Sequence, residues 1–282
     1  MSDQFNIHTA HQGDHSRQDT VFQNDVLKGR TALITGGGTG IGFAIAGQLG
    51  RIGARVVLCA RNKEALDEAA LKLRGQGIEV CVFPVNIRDE GSVAELFTAL
   101  NESKWPVDIL VNNAGGQFAA SALNISPNGF RSVVDLNLTG TWLMCSAFAR
   151  QFSQNGLRCG SIVSIVLAQE HGIPGMVHAA AARAGVANMM KTLAYEWGPI
   201  GLTANAIAPG TVETQALARY DRAGLEAVAA RLPIARMAQP EEVAQAVAYL
   251  VSPAARFITG TLLQIDGGEH LLGAQAQTSA ST

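Results

Sequence analysis

Short apolar runs alternate with longer stretches of helical periodicity along most of this chain. Seven runs are typical of buried strands: residues 31–34, 55–60, 79–84, 107–111, 161–165, 203–207 and 262–265. Between them, apolar residues recur every three or four positions and predict amphipathic helices, of which the first starts near residue 41. Strands that alternate with helices predict a parallel sheet covered on both faces, which is the doubly wound α/β class.

The alternation is continuous enough to predict a single domain over residues 26–272. Within this domain, residues 130–151 and 214–231 are each predicted to form one helix. Residues 1–25 are polar and lack periodicity, and residues 273–282 are mostly small. We therefore expect a flexible leader and a flexible tail at the two ends of the domain.

Composition narrows the classes of partner and compartment. The chain has 282 residues, 48% of them hydrophobic, and a net charge of −2, which gives no electrostatic case for nucleic acid or an anionic membrane. No apolar run reaches the length of a bilayer span, and no signal-peptide core is present near the start. The four cysteines are scattered without close pairs, which favours a reducing compartment. The sequence predicts a cytoplasmic protein without a metal site.

A glycine-rich stretch follows the first predicted strand and opens the first predicted helix. Glycines allow a backbone to approach a ligand more closely than a Cβ would permit, and a helix N-terminus offers free N–H groups to a phosphate. This order of strand, turn and helix predicts a dinucleotide site. Its phosphate-binding residues are predicted to be Gly36, Gly38, Thr39, Gly40, Ile41 and Gly42.

The end of the second predicted strand indicates which dinucleotide binds. An acidic residue about 20 positions beyond the glycines usually holds the adenine ribose hydroxyls. Here the strand ends in Ala60-Arg61-Asn62, without a carboxylate. The guanidinium of Arg61 can pair with a 2′-phosphate in a bidentate manner, so the sequence favours NADP(H) over NAD(H).

Five motifs in this order resemble the short-chain dehydrogenase/reductase family: the glycine loop, residues 112–115, Asn137, Pro209-Gly210 and residues 266–268. The resemblance covers residues 26–272 and implies a Rossmann fold with a doubly wound parallel sheet of seven strands. It places cofactor and substrate at the carboxyl edge of the sheet and a small substrate lid at about residues 211–238. It also implies cofactor contacts from Asn86, Ile87, Asn113, Ala114, Gly115, Pro209, Gly210 and Val212.

The resemblance breaks down at the residues that carry the family's usual reaction. The family uses a tyrosine as acid, a lysine four positions later and a serine thirteen positions before the tyrosine. Here these positions hold Ala179, Arg183 and Val166, and only the helix asparagine, Asn137, is kept. Alanine has no proton to give and valine cannot donate to an oxyanion. Arg183 can still hold the nicotinamide ribose, so the resemblance implies cofactor binding without the usual ketone relay.

Further segments resemble the branch of peroxisomal trans-2-enoyl-CoA reductases within that family, chiefly residues 113–118, 177–178 and 181–186. That branch also carries arginine at the lysine position, whereas the 2,4-dienoyl-CoA reductases keep the lysine. The resemblance implies NADPH-dependent reduction of the C2=C3 bond of trans-2-enoyl-CoA thioesters. Two alternatives stay open: a carbonyl reductase with another proton donor, and a catalytically inactive NADP(H)-binding subunit.

The source of the proton and of the oxyanion contact is not fixed by these motifs. Gln117 could donate its amide to the thioester oxygen or be a polar loop residue. His178 could act as an acid or be a packed histidine, and bound water could serve instead. Arginines in the lid could meet CoA phosphates or form the outer face of a helix: Arg219, Arg222, Arg231 and Arg236. The resemblance further implies a homo-oligomer, a tetramer or dimer built on the long helices.

Overall fold

The computed structural model describes residues 22–103, 105–167 and 172–272. Within these residues, seven strands form one sheet: β1 (Thr31–Thr35), β2 (Arg55–Ala60), β3 (Val80–Pro84), β4 (Ile109–Asn112), β5 (Gly160–Ile165), β6 (Leu202–Pro209) and β7 (Leu262–Ile265). Their order across the sheet is β3-β2-β1-β4-β5-β6-β7, and every neighbouring pair is parallel. The predicted doubly wound Rossmann sheet of seven strands is confirmed.

The described residues also contain eight α-helices: α1 (Gly40–Arg51), α2 (Lys63–Arg74), α3 (Glu90–Glu102), α4 (Pro127–Val134), α5 (Gly140–Gln154), α6 (Val177–Trp197), α7 (Arg222–Ala229) and α8 (Pro240–Val251). Helices α1, α2 and α8 cover one face of the sheet, and α3, α5 and α6 cover the other. The architecture is therefore three layers, with the sheet between two layers of helices.

Alternate residues of the central strands supply the cores on the two faces. In β1, Ala32 and Ile34 face the core with α1 and α8, and Leu33 faces the core with α5 and α6. The same alternation holds in β4, where Leu110 points to the opposite side from Ile109. Because both faces are covered, these strands have to be apolar at successive positions. This requirement explains why uninterrupted apolar runs predicted the strands.

Two predicted helices are interrupted in the structure. The helix predicted over 130–151 is two helices, α4 and α5, joined by a π-helical turn at Asp135–Thr139. The helix predicted over 214–231 is a 3₁₀ turn at Gln215–Arg219 followed by α7, with Tyr220 extended between them. In both places the apolar spacing continues across the break, so periodicity alone could not show it.

The beginning of the domain packs against the core between the sheet and α1. Leu27 is fully buried and its N–H donates to the carbonyl of Ile52 at 2.8 Å. Phe22 and Val26 pack against the same core. Residues 1–21 of the predicted leader and the predicted tail at 273–282 lie outside the described residues. No helix in the part of the chain that the structure describes is long and apolar enough to cross a membrane.

Candidate functional site

The carboxyl ends of the parallel strands meet at one edge of the sheet, and the predicted site residues collect there. From β1 the chain proceeds outward to β2 and β3, whereas from β4 it proceeds the other way to β5, β6 and β7. This reversal leaves a crevice beyond the ends of β1 and β4, where α/β sheets bind their ligands. The glycine loop follows β1, residues 113–115 follow β4, Val166 follows β5 and Gly210 follows β6.

The glycine loop forms a turn whose backbone disfavours a side chain at three positions. Gly36 and Gly40 have positive φ angles of 65° and 54°. A Cβ on Gly42 would lie 2.3 Å from the carbonyl oxygen of Gly36. Thr39 precedes α1 without a side-chain cap, and no acid lies in the first turn. The first amides of α1 are thus open to an anion, and the six predicted loop residues fit the phosphates of a dinucleotide.

The loop after β4 is bonded to the glycine loop through Thr35. The Thr35 hydroxyl accepts hydrogen bonds from the backbone N–H groups of Asn113 at 3.0 Å and Ala114 at 2.9 Å. In return, Asn113 Nδ2 donates to the carbonyls of Thr35 at 3.1 Å and Gly36 at 3.2 Å. These bonds fix the spacing between the two loops that line the crevice. The structure therefore brings the predicted Asn113, Ala114 and Gly115 beside the glycine loop.

The residues predicted for the adenosine end lie after β2 and β3. Arg61 is exposed, and the next residue, Asn62, caps α2 by accepting from the N–H of Ala65 at 3.0 Å. Asn86 is half-buried, whereas Ile87 is 5% exposed and packs against Gly140 at the start of α5. Arg61 is thus free to approach a 2′-phosphate, and the contact of Ile87 with an adenine stays a prediction.

Asn137 lies at the centre of the π-helical turn and is fully buried. Its Nδ2 donates to the carbonyls of Val133 and Gly116, each at 2.8 Å, and its Oδ1 accepts from the N–H of Gly116 at 3.3 Å. The π turn adds a residue to the helix and turns this side chain toward the loop after β4. Because its amide is engaged with backbone groups, Asn137 organises that loop.

Arg183 projects from α6 into the same place and is 7% exposed. Its Nη1 donates to the carbonyl of Ile165 at 2.7 Å, and a Cβ on Gly115 would lie only 1.8 Å from Nη2 and 2.6 Å from Asn137 Oδ1. Only glycine at 115 leaves room for this guanidinium. Burial lowers the pKa of Arg183 to about 10, so the group stays charged at neutral pH.

The Arg183 charge has no protein counter-ion among the described residues, and its Nε lacks a partner there as well. A buried cation without an anion is costly unless other groups bond to it. Hydroxyl groups of a bound ligand are suitable acceptors for these donors. This orphaned nitrogen fits the ribose contact that the sequence predicted.

The positions at which the resembled family carries serine and tyrosine are buried and apolar. Val166 is 2% exposed and Ala179 is fully buried. His178 is also fully buried; its Nδ1 accepts from the N–H of Ala179 at 2.8 Å, and its Nε2 has no partner among the described residues. The ring of Phe118 meets His178 edge-on with 4.5 Å between centroids. Gln117, the residue before Phe118, is half-buried.

The segment after β6 closes the fourth side of the crevice. The N–H of Gly210 donates to the carbonyl of Ile265 at 3.0 Å, and Val212 is 6% exposed and pairs with Ala238. A Cβ on Gly210 would lie 2.8 Å from a carboxylate oxygen of Glu269. Burial raises the pKa of the Glu269 carboxyl, and the negative charge of the nearby Asp266 raises it further. Pro209, Gly210 and Val212 are thus held in a tight turn beside an ionisable carboxyl.

Two of the lid arginines are paired with acids. Arg222 bonds to Glu213 and Glu226, each at 2.6 Å, and Arg236 bonds to both oxygens of Glu242 at 2.6 and 2.7 Å. These pairs favour the interpretation of these arginines as the outer face of the lid over that of CoA phosphate ligands. The start of the lid approaches the glycine loop, since a Cβ on Gly40 would lie 3.5 Å from the Thr214 methyl.

Sequence reasoning missed three residues that shape this site: Thr35, Phe118 and Glu269. Each acts through a contact between segments far apart in the chain, and no local pattern announces such a contact. The one available signal was for Thr35, because it stands at the end of a buried strand next to the glycine turn. Among the described residues, no cluster of His, Cys, Asp and Glu is placed to hold a metal ion.

Comparison with known proteins gives concordant matches. A family profile described as enoyl-(acyl carrier protein) reductase matches residues 36–270. A probable 2,4-dienoyl-CoA reductase of Caenorhabditis elegans is 36% identical over 259 residues, which cover 89% of this chain and 83% of the relative. A peroxisomal 2,4-dienoyl-CoA reductase of Arabidopsis thaliana is 34% identical, with 89% and 87% covered.

A solved structure of actinorhodin polyketide ketoreductase with NADPH has the same fold. It superposes with a TM-score of 0.81 at 33% identity and covers 86% of this chain and 97% of its own. The residues that the family profile matches include the glycine loop and the residues after β4, β5 and β6. The relatives therefore share the family of this chain, and the solved structure shares its fold.

Proposed function

The chain belongs to the short-chain dehydrogenase/reductase family, and from this we propose that it is an NADPH-dependent reductase of the C2=C3 bond in trans-2-enoyl-CoA thioesters. The family makes it an oxidoreductase, and its relatives with dienoyl-CoA names make an acyl-CoA substrate plausible. The finer proposal depends on the residues that surround the reacting atoms.

The pairing of a buried Arg183 with the apolar Val166 and Ala179 carries the proposal. Reduction of a ketone needs a proton donor beside the oxygen that becomes an alcohol, and Val166 and Ala179 cannot supply one. Reduction of an enoyl thioester needs no proton on that oxygen. A hydride added at Cβ produces an enolate, and the proton is then added at Cα.

In this proposal, the cofactor is bound and oriented by side chains that carry suitable hydrogen-bond donors. Bound NADPH would supply the hydride, and Arg183 holds the nicotinamide ribose through its Nε, which has no hydrogen-bond partner among the described residues. Arg61 holds the 2′-phosphate and favours NADPH over NADH. Asn137 keeps the loop at Gly115–Gly116 open for the cofactor through its backbone bonds. The amide of Gln117 donates to the thioester oxygen.

The proton source in this proposal is His178. Its Nδ1 accepts a backbone hydrogen bond, so the neutral ring carries its proton on Nε2, the atom that has no partner among the described residues. We expect His178→Gln to lower kcat with an enoyl-CoA substrate by about 100-fold while NADPH affinity stays the same. An unchanged kcat would show that another group, such as bound water, supplies the proton.

Two other activities have specific support. The names of the relatives favour reduction of 2,4-dienoyl-CoA thioesters. The similarity to a polyketide ketoreductase favours carbonyl reduction with an alternative acid. Arg183 weighs against both, because it stands where those chemistries are expected to use a lysine. A third alternative is an NADP(H)-binding subunit without turnover, since the usual acid is missing.

One assay separates these functions. NADPH oxidation is followed with trans-2-enoyl-CoAs of several chain lengths, with 2,4-dienoyl-CoAs and with a panel of ketones and 3-oxoacyl thioesters. Turnover of the enoyl-CoAs at a kcat/KM well above that of the other classes supports the proposal. Faster turnover of dienoyl-CoAs or ketones assigns the corresponding alternative. Tight NADPH binding without turnover of any class assigns the inactive subunit.

We further propose a homo-oligomer assembled on α5 and α6 and a cytoplasmic location. Trp142 of α5 is 42% exposed and stacks on Trp197 of α6 with 6.5 Å between centroids, and Tyr195 nearby in α6 is 87% exposed. Exposed aromatic side chains on paired helices favour a contact with another subunit. Sedimentation of the purified protein tests the assembly, since a monomer at micromolar concentration would contradict it. Cell fractionation tests the compartment, because some relatives are peroxisomal.

A further inference from the structure

A cleft of about 330 Å³ lies at the amino ends of β5 and β6, on the edge of the sheet opposite the glycine loop. Its walls come from the turn before β5, the turn before β6 and the chain that follows α8. Since the strands of a parallel sheet rise by about 3.3 Å per residue, six-residue strands separate this cleft from the carboxyl edge by about 20 Å. The proposed catalytic residues do not line it.

The lining of the cleft is positively charged. Arg30, Arg158 and Arg256 line it, and no aspartate or glutamate in the described part of the chain does. The Nε of Arg30 pairs with Asp108, which adjoins the cleft. Arg158 and Arg256 are exposed and form no ion pair with any described residue. Three cations and one anion leave a local charge of +2 in a chain whose net charge is −2.

The end of α8 does not neutralise this charge. A helix C-terminus carries about half a negative charge, against two uncompensated guanidinium groups here. The carbonyl of Tyr249 in the last turn is also already engaged, since it accepts from the N–H and the hydroxyl of Ser252 at 3.1 and 2.8 Å. The positive charge of the cleft is therefore not compensated by the described residues around it, and an anion would be attracted there.

The cleft also has hydroxyl groups beside the arginines. Ser161, which is 8% exposed, accepts a hydrogen bond from the Thr203 hydroxyl at 3.3 Å. Arginine side chains can bind two oxygens of a phosphate at once, and serine hydroxyls supply further donors. The volume is at the lower end of the range for small-molecule sites.

We propose that this cleft binds the phosphate group of a small molecule, with Arg158 and Arg256 as its principal ligands. The site is separate from the proposed reductase site, because none of its lining residues belongs to the glycine loop or to the loops around Arg183. A ligand here would bridge the start of the central strands and the end of α8. Its phosphate could be free or part of a nucleotide, and the experiment below distinguishes the two sources.

Cys159 provides a local measure of occupancy because it lines the cleft and is exposed. Cys59 and Cys145 are buried, and burial raises the pKa of each thiol to about 12, so they react slowly. The rate at which N-ethylmaleimide labels Cys159, followed by peptide mass spectrometry, therefore reports on this cleft. The readout does not respond directly to phosphate bound at the cofactor site on the other edge.

The full-length protein is labelled at increasing inorganic phosphate, with chloride at equal ionic strength as the reference. We expect phosphate to slow labelling of Cys159 about tenfold at saturation, and chloride to leave it unchanged. Arg158→Gln and Arg256→Gln should each raise the half-protection concentration about tenfold. Arg150→Gln, which removes an exposed arginine outside the cleft, should not change it. NADPH affinity of each variant confirms its fold.

Adenosine 3′,5′-bisphosphate is titrated in the same way. A lower half-protection concentration than that of inorganic phosphate assigns the site to a nucleotide, and an equal or higher one assigns it to free phosphate. The proposal is wrong if neither compound slows the labelling of Cys159. It is also wrong if both arginine variants are protected as well as the unmodified protein.

Discussion

Arg183→Met separates the two roles that a buried arginine can have, which are support of the fold and contact with a ligand. The variant keeps a long side chain but removes the charge. Burial lowers the pKa of Arg183 from its usual range to about 10, which corresponds to about 3 kcal/mol of free energy that disfavours the charged form in the folded protein. Against this cost, the described residues supply one hydrogen bond, from Nη1 to the carbonyl of Ile165.

These two contributions nearly cancel. A hydrogen bond that involves a charged group contributes about 1.5–3 kcal/mol to stability. Loss of that bond and removal of the buried charge should leave the stability of the cofactor-free variant within about 1–2 kcal/mol of the original. Breaking a buried ion pair by removing one partner would instead cost about 3–5 kcal/mol. The free energy of unfolding therefore distinguishes an arginine without a protein counter-ion from one that is paired.

Cofactor binding should respond differently. If the Nε of Arg183, which has no partner among the described residues, bonds to the nicotinamide ribose, the variant loses about 1.5–3 kcal/mol of NADPH affinity, or about 10- to 100-fold in Kd. Urea unfolding without cofactor gives the first quantity, and titration of NADPH fluorescence gives the second. Arg150→Met, an exposed arginine on α5, is the control for the loss of a positive charge.

Two results would refute this reasoning. A loss of more than about 3 kcal/mol in the cofactor-free protein would mean that Arg183 has a structural counter-ion. An unchanged NADPH Kd in a stable variant, together with unchanged turnover, would mean that the ribose is held by other groups. Arg183→Lys adds a further check, since it restores a charge but not the reach to Ile165.

Three further substitutions test the neighbouring parts of the site. Gly42→Ala should abolish NADPH binding or folding, because its Cβ would lie 2.3 Å from the carbonyl oxygen of Gly36; Gly198→Ala, where nothing lies within 4 Å, is the matched control in a melting experiment. Arg61→Ala should weaken NADPH about tenfold in a fluorescence titration and leave NADH unchanged. Burial raises the pKa of Glu269 above 4.5, so its ionisation opposes folding at neutral pH. Glu269→Gln should therefore raise the urea midpoint at pH 7, and the gain should disappear at acidic pH as the original carboxyl becomes protonated.

The sheet was predictable from the sequence because parallel strands covered on both faces must be apolar at every position. The helices were less predictable where the backbone conformation changes but the spacing of apolar side chains does not. The π-helical turn at Asp135–Thr139 keeps nearly helical dihedral angles and inserts one residue, so the apolar spacing passes through it. The break before α7 had a signal in Asp221, whose carboxylate caps the helix by accepting from Ala223 and Gly224.

The site divides in the same way. Glycine positions in the loop after β1 were predictable because a Cβ is sterically excluded there. Glycine is the residue that such a position requires, so the residue type itself indicates the constraint. The unusual Arg183 was also visible, since a family motif fixes its place on α6. The contacts of Phe118 with His178 and of Glu269 with Gly210 were not predictable, because they join segments that only the folded chain brings together.

The geometry of α6 relates the replaced residues Ala179 and Arg183 to the neighbouring His178. Ala179 and Arg183 are one turn apart on the same face of α6, whereas successive residues point about 100° apart, so His178 projects toward a different side. There its ring meets Phe118, in the loop that also carries Gln117. A proton from His178 would therefore arrive at a different atom from the one that a tyrosine at 179 would protonate. In carbonyl reduction, the atom that receives the proton is the substrate oxygen. In enoyl reduction, the atom that receives the proton is Cα. If His178 is the proton source, as proposed, its place beside position 179 suits protonation of carbon, and the thioester oxygen would need only a hydrogen-bond donor such as Gln117.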